Sequence, residues 1–203
     1  MLSFHNDPKI KKKYLDRVIA HQKADEIIKG KYWEGGKGCA VGCTIHSSNH
    51  NAYEQELGIP EWLAKLEDTI FEGLPNDKAK KWPQEFLKAI KVGVDLEPVK
   101  WEFCAFILKE NIERVLILKI EDSLKEQVVN SIQECLSVHE EAIISGIWDE
   151  SAALSARSAA LSAALSAAEA ARSAAYVKYA DELLRILKGI NPAKARDEVG
   201  TEP

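Results

Sequence analysis

The chain has 203 residues, four cysteines, 46% apolar residues and a formal charge of −5, with 27 Lys and Arg against 32 Asp and Glu. That apolar content suits one large globular domain or two small ones. The acidic balance argues against general nucleic-acid binding, and so few scattered cysteines exclude a fold held mainly by disulfides and fit a reducing compartment.

The N-terminal stretch MLSFHNDPKIKKK has no apolar core of the signal-peptide kind. No run of about eighteen apolar residues occurs outside one Ala-rich segment, so a cytoplasmic chain without a membrane span is expected. Lys9, Lys11, Lys12 and Lys13 read as a solvated helix end rather than a phosphate contact. Asp7-Pro8 opens the first helix, with Asp as N-cap and Pro in the first turn. Ile10, Tyr14, Val18, Ile19, Ala24, Ile27 and Ile28 carry the helical spacing onward, and Gly30 ends it.

A Gly-rich loop is expected over residues 30–48, after which Ser47 or Ser48 caps a short helix through Leu57. Gly58-Ile59-Pro60 starts the next helix, with Trp62, Leu63, Leu66, Ile70 and Phe71 on its buried face and Gly73 and Pro75 closing it. Trp82-Pro83 opens another, ended by Gly93, and Glu97-Pro98 a longer one running through Leu118. Ser123 and Glu126 match a capping box for a helix that breaks at Ser145-Gly146. No segment has the alternation or the turns of a β-domain.

Residues 149–188 form the segment DESAALSARSAALSAALSAAEAARSAAYVKYADELLRILK, free of Gly and Pro. Alanine is the best helix former. Ser151, Ser162 and Ser173 recur every eleven residues, as do Leu154, Leu165 and Tyr176, a period close to that of a straight helix. Such a rod would be roughly 60 Å long, whereas the radius of gyration of a domain this size is about 17 Å. It therefore bends, protrudes or breaks. The reading is an all-α fold: one multi-helix domain over residues 1–192, packed around this Ala-rich helix, with a frayed tail over 193–203. A partner chain, or a second copy in a homo-oligomer, could instead pair with its Ser/Ala stripe.

One stretch looks chemical. Cys39, Cys43, His46 and His50 are spaced C-x3-C-x2-H-x3-H, and thiolate and imidazole are zinc donors. On one continuous helix Cys39 and His50 would lie roughly 16 Å apart, too far to share a zinc with bonds of about 2.0–2.3 Å. A four-ligand site needs the loop to fold Cys39 back; Cys43 and His46 with a carboxylate from elsewhere is easier. A plainer reading makes the cysteines buried fillers and the histidines caps. In a third, Gly35, Gly36, Gly38 and Gly42 with Lys37 make a nest of N–H groups for a phosphate or nucleotide, Gly36, Lys37, Gly38 and Gly42 being its contacts.

Other groups could converge on this loop. His21 and Asp25 are four apart, next to Glu26, as an acid–base pair, a metal's outer shell or a surface contact. Tyr32, Trp33 and Trp62 could wall a pocket. Glu54, Glu56, Glu67, Asp68 and Glu72 read as solvated, Cys104 and Cys135 as core, and His139 as surface.

The run GKGCAVGCTIHSSNHNAYEQELGIPEWLAKLEDTIFEGLP, from Gly36 to Pro75, resembles a stretch of uncharacterised bacterial and phage proteins that also carry Ala-rich C-terminal helices. The resemblance implies a bacterial or phage origin and a soluble helical fold, and it carries over no activity. The functional expectation is a helical interaction or regulatory protein; the alternatives are a zinc-dependent site at the Cys/His cluster and a phosphate or nucleotide site at the same loop.

Overall fold

The computed structural model describes residues 1–49, 51–118, 122–150 and 172–190. The fold is all-helical, with a two-stranded hairpin as the one sheet among the described residues. It divides into two compact units, Met1–Glu97 with Ala175–Pro203, and Pro98–Ala174.

Unit 1 begins with a turn over Ser3–Asn6 in which Phe4, His5 and Asn6 all take positive φ (52°, 49° and 58°). Left-handed backbone costs an L-residue about 1–2 kcal/mol. The segment is held because Phe4 is fully buried and the Ser3 hydroxyl donates to the Lys91 carbonyl (2.6 Å) while accepting from the Val94 N–H (3.0 Å). Ser3→Ala would strand both backbone groups, so a loss of about 1–3 kcal/mol is expected in thermal unfolding.

Helix α1 (Pro8–Lys23) starts as its sequence predicts: the Asp7 carboxylate accepts from the Lys9 N–H at 2.8 Å. It stops seven residues short of Gly30. Ala24 is its C-cap and Asp25 turns left-handed (φ 56°). The chain then gains sheet-like bonds instead: Ile28 N–H donates to the Gly38 carbonyl and Gly38 N–H to the Glu26 carbonyl. Ile27 is buried by this pairing rather than by a helix face.

The expected loop over 30–48 is largely ordered. β1 (Trp33–Glu34) and β2 (Lys37–Gly38) form an antiparallel hairpin, Trp33 opposite Gly38 and Glu34 opposite Lys37. Gly35 and Gly36 make its turn with φ of 59° and 83°, the two positive values that a tight hairpin turn demands.

Helix α2 (Ala40–Ile45) follows, and all six of its residues are buried. It packs against α1, β2, α3 (Asn51–Leu57), α4 (Glu61–Gly73) and α6 (Trp82–Ala89); α5 is the short Asn76–Ala79 turn before α6. The centre of unit 1 is thus the segment read as irregular. A short helix that is apolar all round belongs in a core.

The Ala-rich segment was expected to hold that position, but residues 151–171 lie outside the described residues. The end of the segment is helix α9 (Arg172–Gly189), with Ala180, Leu183, Ile186 and Leu187 buried. In unit 1 the Tyr176 ring lies over Gly73, where a Cβ would come within 2.2 Å of it.

Unit 2 contains most of α7 (Glu97–Leu116) and α8 (Asp122–Ser145), bridged by Lys109 and Glu140 at 2.7 Å. α7 ends at Leu116, two residues before the expected Leu118. Gly146 closes α8 with a φ of 73°. Cys135 is buried and Cys104 partly so. His139 is half-buried beside Trp148 rather than on the surface (ring centroids 4.9 Å apart). No helix among the described residues is long and apolar enough to cross a membrane.

Candidate functional site

Three pieces of unit 1 meet at one corner. The last turn of α1 carries His21, the reversal after α1 carries Glu26, and α2 ends at His46. Arg17 ties the helices together, its Nη1 donating to the Thr44 carbonyl at 2.8 Å.

His46 is the C-cap of α2 in left-handed conformation (φ 57°, ψ 38°), a position that Gly or Asn usually fills. Two contacts hold it there. Its ring stacks on Trp33 of the hairpin, centroids 4.5 Å apart and planes 12° off parallel. Its Nε2 lies 2.7 Å from Nε2 of His21. Nδ1 of His21 is in turn 2.6 Å from Glu26 Oε2, and Trp33 meets the His21 ring edge-on at 5.5 Å.

With both rings uncharged, the partners set the tautomers. A carboxylate only accepts, so His21 donates from Nδ1 and keeps a lone pair on Nε2. His46 must then donate from Nε2 and keep its lone pair on Nδ1. Desolvation of the packed face of His46, and after it the charges of Arg17 and His21, hold its pKa below the ordinary imidazole value. His46 is thus the exposed end of a carboxylate–imidazole–imidazole chain.

Comparison with family models, with curated proteins and with solved structures finds no match.

The expected zinc set does not assemble among the described residues. Cys39, Cys43 and His46 do not converge, and His50 lies outside the described residues. No three His, Cys, Asp or Glu side chains among those described are placed to hold a metal. Cys39 is buried as the N-cap of α2, its Sγ accepting from the Gly42 N–H (3.5 Å). Burial, with Asp68 beside it, pushes its thiol far above the ordinary range. Cys43 Sγ donates to the Gly38 carbonyl (3.3 Å), and burial pushes its pKa up to about 12. Both thiols serve the core.

Nor is the glycine stretch an open nest. Gly36 sits in the hairpin turn and Lys37 is an exposed strand residue. The N–H groups of Gly38, Cys39, Gly42 and Cys43 all donate within the fold, to the Glu26 carbonyl, the Lys31 carbonyl, Cys39 Sγ and the Cys39 carbonyl.

Of the auxiliary groups, His21 and Glu26 do converge on the site. Asp25 does not, because α1 ends before it; its carboxylate pairs with Lys80 at 2.5 Å. Glu67 and Asp68 are buried rather than solvated. Tyr32 and Cys39, with Gly30, Lys31, Asp68 and Glu72, line a separate cleft of about 200 Å³. The His21–His46 pairing is the feature that sequence reading missed. Its only local signal is a histidine one turn before a helix end and another at a second helix end.

Proposed function

We propose that unit 1 carries a general acid–base site whose working group is His46, with His21 and Glu26 as the groups that position and polarise it. The observation that carries this reading is the pair of short hydrogen bonds, 2.6 Å and 2.7 Å, stringing Glu26, His21 and His46 together.

The proton path is direct. His46 Nδ1 takes a proton from a substrate O–H, N–H or attacking water. Its Nε2 proton passes to His21 Nε2. His21 becomes an imidazolium whose Nδ1–H stays on the Glu26 carboxylate, so the positive charge forms against a negative one. The return step reverses each transfer. The left-handed backbone of His46 supports the reading as well, because strain of this kind gathers where function requires it.

The test is hydrolysis of an activated aryl ester such as 4-nitrophenyl acetate by the full chain in excess chelator at neutral pH. Positioned acid–base groups contribute about 10²–10⁴-fold. His46→Gly is the informative variant, since glycine accepts the left-handed conformation and the chain should remain folded. It should hydrolyse the ester at the background rate, and Glu26→Gln should fall in between. If His46→Gly keeps the parent rate, the reading is wrong.

A further inference from the structure

We propose that Arg17 makes the site selective for substrates that carry a carboxylate beside the reacting bond. The proposal rests on the relay reading for its chemistry, and on the disposition of charge along α1 for the anion.

Lys9, Lys13, Arg17 and His21 recur every four residues and so form one slowly winding row on α1. The row ends where His21 meets His46. The lysines between are committed elsewhere: Lys11 donates to the Lys88 and Ile90 carbonyls, and Lys12 pairs with Asp16 at 2.5 Å. Among the described residues none of Lys9, Lys13 and Arg17 forms an ion pair; Lys13 Nζ lies over the Tyr14 ring instead, 4.6 Å from its centroid. The carboxylates that face His46 have partners other than Arg17. Glu26 takes His21, and Glu56 accepts from the Tyr14 hydroxyl.

Arg17 is fixed in place. Its Nη1 donates to the Thr44 carbonyl at 2.8 Å, two residues before His46, and its guanidinium carbon lies 5.0 Å from the centroid of the Tyr14 ring. A guanidinium has five N–H donors, and the Thr44 bond uses one. The residue is half-buried. A charged, immobilised and partly desolvated guanidinium grips a carboxylate through two parallel bonds. One guanidinium matches a monoanion better than a phosphate dianion. Lys13 and Lys9 stand one and two turns further along the row and draw the anion in.

Seating the anion also strengthens the base. A nearby cation disfavours imidazolium, and the Arg17 charge is one of the influences that hold the His46 pKa down. A carboxylate on the guanidinium offsets that charge, so His46 takes up a proton more readily with substrate bound than without. The anion adds no covalent step to the relay; it places the reacting bond against His46 Nδ1.

The test compares 4-acetoxy-3-nitrobenzoate with 2-nitrophenyl acetate, the same ester without the carboxylate. For the full chain in excess chelator, kcat/KM divided by the uncatalysed rate should favour the charged ester by about 10–100-fold, the worth of hydrogen bonds to a charged group. Arg17→Gln should bring that ratio close to one, Lys13→Gln should lower it less, and added salt should erode it. The tie from Arg17 to α2 would by itself alter both esters alike, so the ratio separates recognition from scaffolding. Benzoate should compete with the charged ester and raise the His46 pKa followed by NMR of its ring protons, and in Arg17→Gln it should do neither. A parent ratio of one or below overturns the proposal, as does a preference that survives Arg17→Gln or inorganic phosphate competing more tightly than benzoate. If Arg17→Gln does not fold, the parent ratio and its loss in salt decide. Equal, His46-dependent hydrolysis of both esters overturns the proposal and leaves the relay standing. Benzoate held at Arg17 in a chain with no His46-dependent hydrolysis overturns the relay and supports the anion site.

Discussion

Gly42→Ala should leave unit 1 unable to close. A Cβ at this position would lie 1.6 Å from the Tyr32 carbonyl oxygen and 2.7 Å from its carbon. Neither side has room to yield. Tyr32 leads into the hairpin, and the Cys39 N–H fastens that end by donating to the Lys31 carbonyl at 2.7 Å. α2 is enclosed by four helices and β2. Helix propensity alone would favour alanine by about 1 kcal/mol, so the sign of the effect separates sterics from propensity. A loss of about 3 kcal/mol or more is expected, at or above the upper end of the usual range for overpacked cores, because the clash is with backbone. Urea unfolding followed by tryptophan fluorescence measures it. A midpoint equal to the parent's would mean that the hairpin does not lie on α2. The same displacement would carry Trp33 off His46, so any surviving fold should lack the ester hydrolysis.

Glu67 should make the chain less stable as pH rises. Its side chain is fully buried in α4; Tyr53 donates to its Oε2 at 2.6 Å, and Oε1 has no hydrogen-bond partner. Burial, and then the charge of Asp68, raise its pKa well above 4.5. A carboxyl with a higher pKa folded than unfolded binds its proton more tightly in the native state. Its contribution is therefore fully present below the unfolded value and is lost as pH climbs through the folded one. Glu67→Gln keeps an acceptor for Tyr53 and removes the charge. Thermal unfolding from weakly acidic to alkaline pH should slope downward in the parent and lose that slope in the variant. Tyr53→Phe, which strips the bond at Oε2, should cost about 1–3 kcal/mol. Matching pH profiles for the parent and Glu67→Gln would refute the account.

Helix starts were legible wherever a local residue pair dictates them. Asp7-Pro8, Trp82-Pro83 and Glu97-Pro98 each opened the expected helix, because a cap or a ring-fixed φ acts within one turn. α2 was not legible. Six residues are too few for periodicity, and the helix exists because the surrounding elements bury all of it. The hairpin was not legible either: Gly35-Gly36 makes its turn, but strands of two residues each are too short to show alternation. Glu67 and Asp68 read as solvent-facing because adjacent carboxylates usually are; the partner that makes Glu67 tolerable, Tyr53, is fourteen residues away. The candidate site was half visible. His21, Glu26 and His46 were each singled out, but His21 was matched to Asp25 by helical spacing. The helix ends too soon for that, and His21 meets His46 across twenty-five residues that only the fold brings together.

Unit 1 is discontinuous in the chain. Its first part closes at Glu97, and its remainder starts only at Ala175. On the ribosome, the first ninety-seven residues therefore emerge well before α9, whose Leu183, Ile186 and Leu187 end up fully or nearly fully buried. Until translation reaches them, the backbone at Gly73 that the Tyr176 ring will cover waits unshielded. Nascent chains of this kind are candidates for holdase chaperones and for proteolytic clearance when synthesis stalls.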